Sequence, residues 1–124
     1  MNENKEKLKK SQIIENLSAL YETISSVSLK AGRSSNEVAL MAVTKFHSAE
    51  EVKIVLEQGH RLFGENRVQE AEQKYSSLKQ DFPEARLHLI GPLQTNKVRQ
   101  AINLFDVIET LDRPRLARAL HKEQ

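Results

Sequence analysis

Val38-Ala39-Leu40-Met41-Ala42-Val43-Thr44-Lys45 runs seven residues without a charge straight into a lysine. No helical stripe or polar alternation interrupts it, which is the pattern of a strand buried on both faces in a parallel sheet. A helical segment is the other reading, but the β-branched Val43 and Thr44 and the shortness of the run favour strand. Lys45 falls where such a strand would emerge. In α/β folds the carboxyl ends of parallel strands form the ligand-binding rim, so Lys45 is placed for chemistry. Against this stands the plainer reading that a long cationic side chain simply reaches water from an apolar surface.

Working outward, the segment before this run carries one long amphipathic pattern from Lys5 to Ala31. Ile13, Ile14, Leu17, Leu20, Tyr21, Ile24 and Val27 recur at three- and four-residue steps. This predicts a helix that packs within the domain, with a partner helix as the other use of its face. Gly32 ends it. After Lys45, Ser48 and Glu51 match a capping box, Val52, Val55 and Leu56 form a buried face, and Gly59 fits a left-handed stop. Arg61-Leu62-Phe63-Gly64 reads as a second strand. Asn66 with Gln69 predicts the cap of a helix whose inner face is Val68, Ala71, Tyr75 and Leu78.

Phe82 to Ala85 is a turn, Arg86 to Ile90 a third strand, and Gly91-Pro92 its end. Thr95 caps a helix carrying Val98, Ala101 and Ile102. Phe105 to Glu109 is a fourth strand, and Asp112 caps a last helix with Pro114 in its first turn. One long helix followed by four strand-helix units implies an α/β fold with a parallel sheet and right-handed crossovers. Four units are half of a (β/α) barrel of the TIM type, which needs about 250 residues.

The composition fits a soluble globular domain: 124 residues, 29% charged, 39% hydrophobic, net charge +2. Basic and acidic residues interleave and aromatics are only 5%, so neither a basic patch nor stacking platforms for nucleic acid stand out. With no cysteine, disulfides, thiolate catalysis and cysteine-based metal sites are excluded. No signal peptide is read behind the charged amino terminus and no segment long enough to span a membrane, so the expected location is cytoplasmic.

Three strand ends carry polar residues: Lys45, the triplet Gly64-Glu65-Asn66, and Gly91 to Lys97. A parallel sheet brings all three to one rim. A lysine there, set among apolar strand residues, has its ammonium form disfavoured, leaving an amine able to form a Schiff base. Each member also has a plainer role: Asn66 as a cap, Lys97 as a solvated helix residue, Gln94 and Asn96 as turn residues. The histidines at 47, 60, 88 and 121 lack metal-ligand spacing; His88, inside the third strand, lines a site or is a satisfied interior histidine. No Ser-His-Asp arrangement, Walker loop or Gly-x-Gly-x-x-Gly occurs.

The blocks Ala42-Val43-Thr44-Lys45, Phe63-Gly64-Glu65-Asn66-Arg67-Val68-Gln69-Glu70 and His88 to Lys97 resemble the signatures of the pyridoxal 5'-phosphate (PLP) homeostasis protein family, and Ile108 to Asp112 continues the likeness. The resemblance runs from about residue 10 to residue 124. It implies a fold-type III barrel like the amino-terminal domain of alanine racemase, with PLP as cofactor held as an internal aldimine on Lys45. It also implies a role in binding and buffering PLP without established turnover. Asn66 would sit beside the cofactor, and the block from His88 to Gly91 would line the pocket.

Family members run to the length of a whole barrel, so residues 1–124 are expected to form the N-terminal half of a PLP-binding (β/α)8 barrel. The loops that grip the cofactor phosphate in such barrels follow strands seven and eight, which lowers the expected affinity. An open half-barrel invites self-association through its strand edges and apolar interior. A racemase-like PLP enzyme, or a half-barrel that no longer binds PLP, are the competing expectations.

Overall fold

The computed structural model describes residues 2–124. The chain forms two compact units, one reaching to Leu40 and including Glu50–His60, the other made of Met41–Ala49 and Arg61–Gln124.

In the first unit the long amphipathic pattern is helix α1 (Asn2–Lys30). It stops at Gly32, whose φ of +72° suits a residue without Cβ. The turn is closed by the Arg33 N–H donating to the Ser28 carbonyl at 2.9 Å. A 3-10 turn over Ser35–Glu37 leads on, with Ser34 as its cap. Helix α2 (Ala49–Glu57) begins directly after Ser48, buries Val52 and Leu56, and gives way to Gly59 at φ +95°. Lys9 pairs with Glu51 at 3.5 Å, and the Tyr21 hydroxyl hydrogen-bonds the His60 ring. The apolar stripe of α1 is only partly covered. Leu17 is buried, whereas Leu20, Tyr21 and Val27 are exposed. Within this unit the 29-residue helix offers more face than the nine-residue α2 covers.

The second unit holds four parallel strands, β1 (Ala42–Val43), β2 (Leu62–Glu65), β3 (Arg86–Leu89) and β4 (Val107–Ile108), in the order β1-β2-β3-β4. Neighbours in space are neighbours in sequence, with no reversal of direction around the first strand. That order is the (β/α) barrel plan and not the doubly wound one, and the sheet is a partial barrel of four strands. Helices α3 (Val68–Asp81), α4 (Val98–Leu104) and α5 (Pro114–Glu123) follow β2, β3 and β4. α3 packs on β2 and α4, and α4 packs on α5. Phe63, Leu87 and Leu89 are fully buried with Tyr75, Ala71 and Ala101. The Phe63 and Tyr75 rings lie 5.8 Å apart, joining β2 to α3.

The opposite sheet face is more open. The register aligns Val43, Gly64, His88 and Val107 in one row on it. Val43 is 46% exposed, so the first strand is not buried on both faces as its apolar run suggests. It is also only two residues long. In a barrel the inner face is filled by strands from around the ring, and a sheet of four strands leaves it uncovered.

Several helix starts differ from the expected caps. α3 begins at Val68 with Arg67 at the cap, so Asn66 is not the N-cap. Thr95 lies inside a 3-10 turn (Thr95–Lys97) that precedes α4. Arg113 precedes α5, with Pro114 in the first turn as expected; Asp112 instead pairs with Arg113 at 2.7 Å.

The α4–β4 connection is pinned by Asp106. Its Oδ2 accepts from the Leu87 N–H at 2.7 Å and from Lys79 Nζ at 2.9 Å. Burial opposes ionisation of this carboxyl, but the Leu87 amide and the Lys79 ammonium outweigh it and hold the carboxyl below its ordinary range. A carboxyl so lowered stabilises the fold above its unfolded value near ~3.9, and the contribution disappears as pH falls through the lower folded value. Asp106→Ala should therefore cost about 1 kcal/mol at pH 7, after discounting for its partial exposure. The difference from wild type, read in urea melts, should shrink as pH falls below the ordinary carboxylate range.

Candidate functional site

The carboxyl ends of the strands build the site. β1 gives way to a turn in which the His47 N–H donates to the Thr44 carbonyl at 3.1 Å, with Lys45 and Phe46 between them. Lys45 is exposed on this turn. The apolar surroundings expected from the run before it do not enclose the side chain, because β1 lies at the edge of the sheet with its open face uncovered.

β2 ends in Glu65 and Asn66. Along a strand side chains alternate between faces, so Phe63 and Glu65 share the helix side and Gly64 the open side. Glu65 is accordingly fully buried beneath α3 and not on the rim. Its Oε2 accepts from Lys74 Nζ at 2.8 Å and from the Thr44 hydroxyl. The Thr44 hydroxyl also meets the Tyr75 hydroxyl at 2.6 Å. Lys74 Nζ further reaches Glu70 Oε2 at 2.9 Å and the Thr44 carbonyl at 2.5 Å. Burial pushes the Tyr75 phenol up, so it stays a neutral hydrogen-bonding group. Glu65 Oε1 is buried with no hydrogen-bond partner among the described residues.

Asn66 lines an open cavity of about 530 Å³ together with Arg67, Val68, Gln69, Pro92, Gln94 and Lys97. This groove runs between the start of α3 and the segment after β3, so it gathers two of the three polar blocks read from the sequence. Lys45 is not part of its lining. Gly91 is buried, and its backbone packs directly on Asn66: a Cβ at 91 would stand 2.2 Å from the Asn66 carbonyl oxygen. The Thr110 hydroxyl donates to the Gly91 carbonyl at 2.7 Å, tying the ends of β3 and β4. His88 lies half-buried on the open sheet face, its Nδ1 3.3 Å from Glu109 Oε1.

The structure therefore brings Asn66 and Gly91 together, pairs His88 with Glu109, and leaves Lys45 exposed at the end of the edge strand. The buried cluster of Thr44, Glu65, Lys74 and Tyr75, with the half-buried Glu70 at its edge, escaped sequence reasoning. Two signals pointed to it: Glu65 two residues after the core Phe63, and the helical i, i+4 pair Glu70–Lys74.

The alanine racemase N-terminal domain model matches residues 16–124. A pyridoxal phosphate homeostasis protein of Vibrio cholerae is 36% identical over 114 residues, which is 90% of this chain and 48% of that protein. One of Aquifex aeolicus is 37% identical over 108 residues, 87% of this chain and 46% of that protein. The chain thus spans about half the length of the curated relatives it matches. Among solved structures, PipY of Synechococcus elongatus with PLP bound is similar at a TM-score of 0.64 and 41% identity, covering 68% of this chain and 40% of PipY. An unknown protein from Bifidobacterium adolescentis is similar at a TM-score of 0.85 and 28% identity, the match covering 93% of this chain and 50% of that one.

Proposed function

The chain belongs to the alanine racemase N-terminal domain family, and on that premise we propose that it binds pyridoxal 5'-phosphate in a homeostatic role, without turnover, as a Schiff base on Lys45. The observation that carries this reading is the likeness to PipY with PLP bound. The relatives' shared name, pyridoxal phosphate homeostasis protein, supports a role in supply and buffering over one in catalysis. Residues 1–124 then correspond to the N-terminal half of the barrel.

The groups at the strand ends fit the reactive part of this cofactor. PLP brings an aldehyde that condenses with a primary amine, releasing water. Lys45, exposed after β1, offers the amine without any rearrangement of the core. Asn66 supplies an amide at the end of the adjacent strand, and His88 with Glu109 lines the open sheet face. In barrels of this type the phosphate is gripped after strands seven and eight.

Mixing the protein with PLP should produce the absorption band of a protein-bound imine. Borohydride reduction and peptide mapping should place the label on Lys45, and Lys45→Ala should abolish the band. A band that persists in this variant, or a label on another lysine, overturns the assignment.

A further inference from the structure

The residues on either side of Lys45 are both held from α3, while its own side chain is free to react. Thr44 is buried, and its carbonyl accepts from Lys74 Nζ and from the His47 N–H. On the other side, the Phe46 N–H donates to Glu70 Oε2 at 2.6 Å. Phe46 adopts φ +66°, the left-handed region normally given to glycine or asparagine at the third position of a turn. The residue is 79% exposed, so side-chain packing does not hold it in that conformation. Besides the His47–Thr44 bond that closes the turn, the hydrogen bond that holds Phe46 itself is the one its N–H donates to the charged Glu70 carboxylate. Glu70 is itself fixed by Lys74, whose ammonium also binds the buried Glu65.

The geometry points to Glu70, braced by Lys74, as a positioning residue that locks the Thr44–His47 turn and so fixes the Lys45 amine relative to the rim. Its consequence for cofactor binding rests on the reading of Lys45 given above. An ordered backbone at Lys45 places the amine for condensation; a turn that relaxes to an ordinary φ at Phe46 swings the side chain away.

Two readouts separate this device from the function it serves. Amide hydrogen exchange followed by NMR should find Phe46 protected in the wild type and unprotected in Glu70→Ala, with circular dichroism unchanged. In PLP titrations Glu70→Ala should weaken imine formation on the order of tenfold, and Glu70→Gln, whose amide oxygen still accepts from Phe46, should recover part of it. Adding Phe46→Gly to Glu70→Ala should restore part of the binding, since glycine adopts a positive φ without strain. A merely stabilising role for Glu70 gives no such rescue. An unprotected Phe46 amide in the wild type overturns the proposal, as does wild-type PLP affinity in Glu70→Ala. If the wild type forms no imine at all, the PLP reading falls, and exchange at Phe46 alone decides the lock.

Discussion

Lys74→Met is expected to lower stability by about 3–5 kcal/mol, a large share of the roughly 5–15 kcal/mol that holds a domain folded. The reason is the position of Glu65. Its carboxylate is fully buried on the helix side of β2, and the Lys74 ammonium is its only cationic partner among the described residues. Methionine matches the lysine stem in length and apolar packing, so what disappears is the charge and its hydrogen bonds to Glu65, Glu70 and the Thr44 carbonyl. One Glu65 oxygen already lacks a partner, and the other would keep only the Thr44 hydroxyl. An uncompensated buried charge costs far more than the pair contributes. The double variant Glu65→Leu, Lys74→Met should therefore be more stable than Lys74→Met alone, because it removes both charges and leaves an apolar contact near Phe63. Urea denaturation of the two variants checks the ordering. A double variant less stable than the single would mean that Glu65 stabilises the fold even without the lysine, through its packing and the Thr44 hydroxyl, and is not left as a costly buried charge.

This buried pair also marks the boundary of what the sequence made legible. Helix existence was readable almost everywhere, because the apolar spacing of α1, α2 and α3 and the stops at Gly32 and Gly59 are local properties of the backbone. The alternation of strands with helices likewise led to the parallel sheet and the barrel plan. Strand length was not legible in the same way. The run Val38 to Lys45 has the composition of an eight-residue strand, yet only Ala42 and Val43 pair. Pairing depends on where β2 offers backbone partners, and nothing local to residues 38–41 records that.

Caps failed for a related reason. Asn66 has the right chemistry for a helix N-cap, but the close approach of Gly91 fixes its backbone, and α3 starts two residues later. Asp112 yields to Arg113 in the same manner, its carboxylate taken by that arginine. Standing in a polar triplet, Glu65 has the local look of a rim residue. Strand alternation from Phe63 assigns it to the core instead.

Gly91→Ala should produce the second large effect, by sterics at a single backbone contact. The added Cβ would lie 2.2 Å from the Asn66 carbonyl oxygen and 2.8 Å from its carbonyl carbon and Cα. All three are main-chain atoms, so no rotamer change relieves the clash, and the corner between β2 and α3 must move. Overpacking of this kind reaches about 3 kcal/mol, or roughly 10 °C in Tm for a chain of this size. Gly32→Ala provides the internal comparison. No atom stands within 4 Å of a Cβ there, so its cost is the left-handed backbone alone, about 1–2 kcal/mol. The two substitutions should also differ in reach. Amide chemical shifts in Gly91→Ala should change at Asn66 to Gln69, which line the groove at the strand ends, while those in Gly32→Ala should stay within the end of α1. A Gly91→Ala protein with wild-type melting and unchanged Asn66 shifts would mean that β3 and the β2–α3 corner are not packed backbone to backbone.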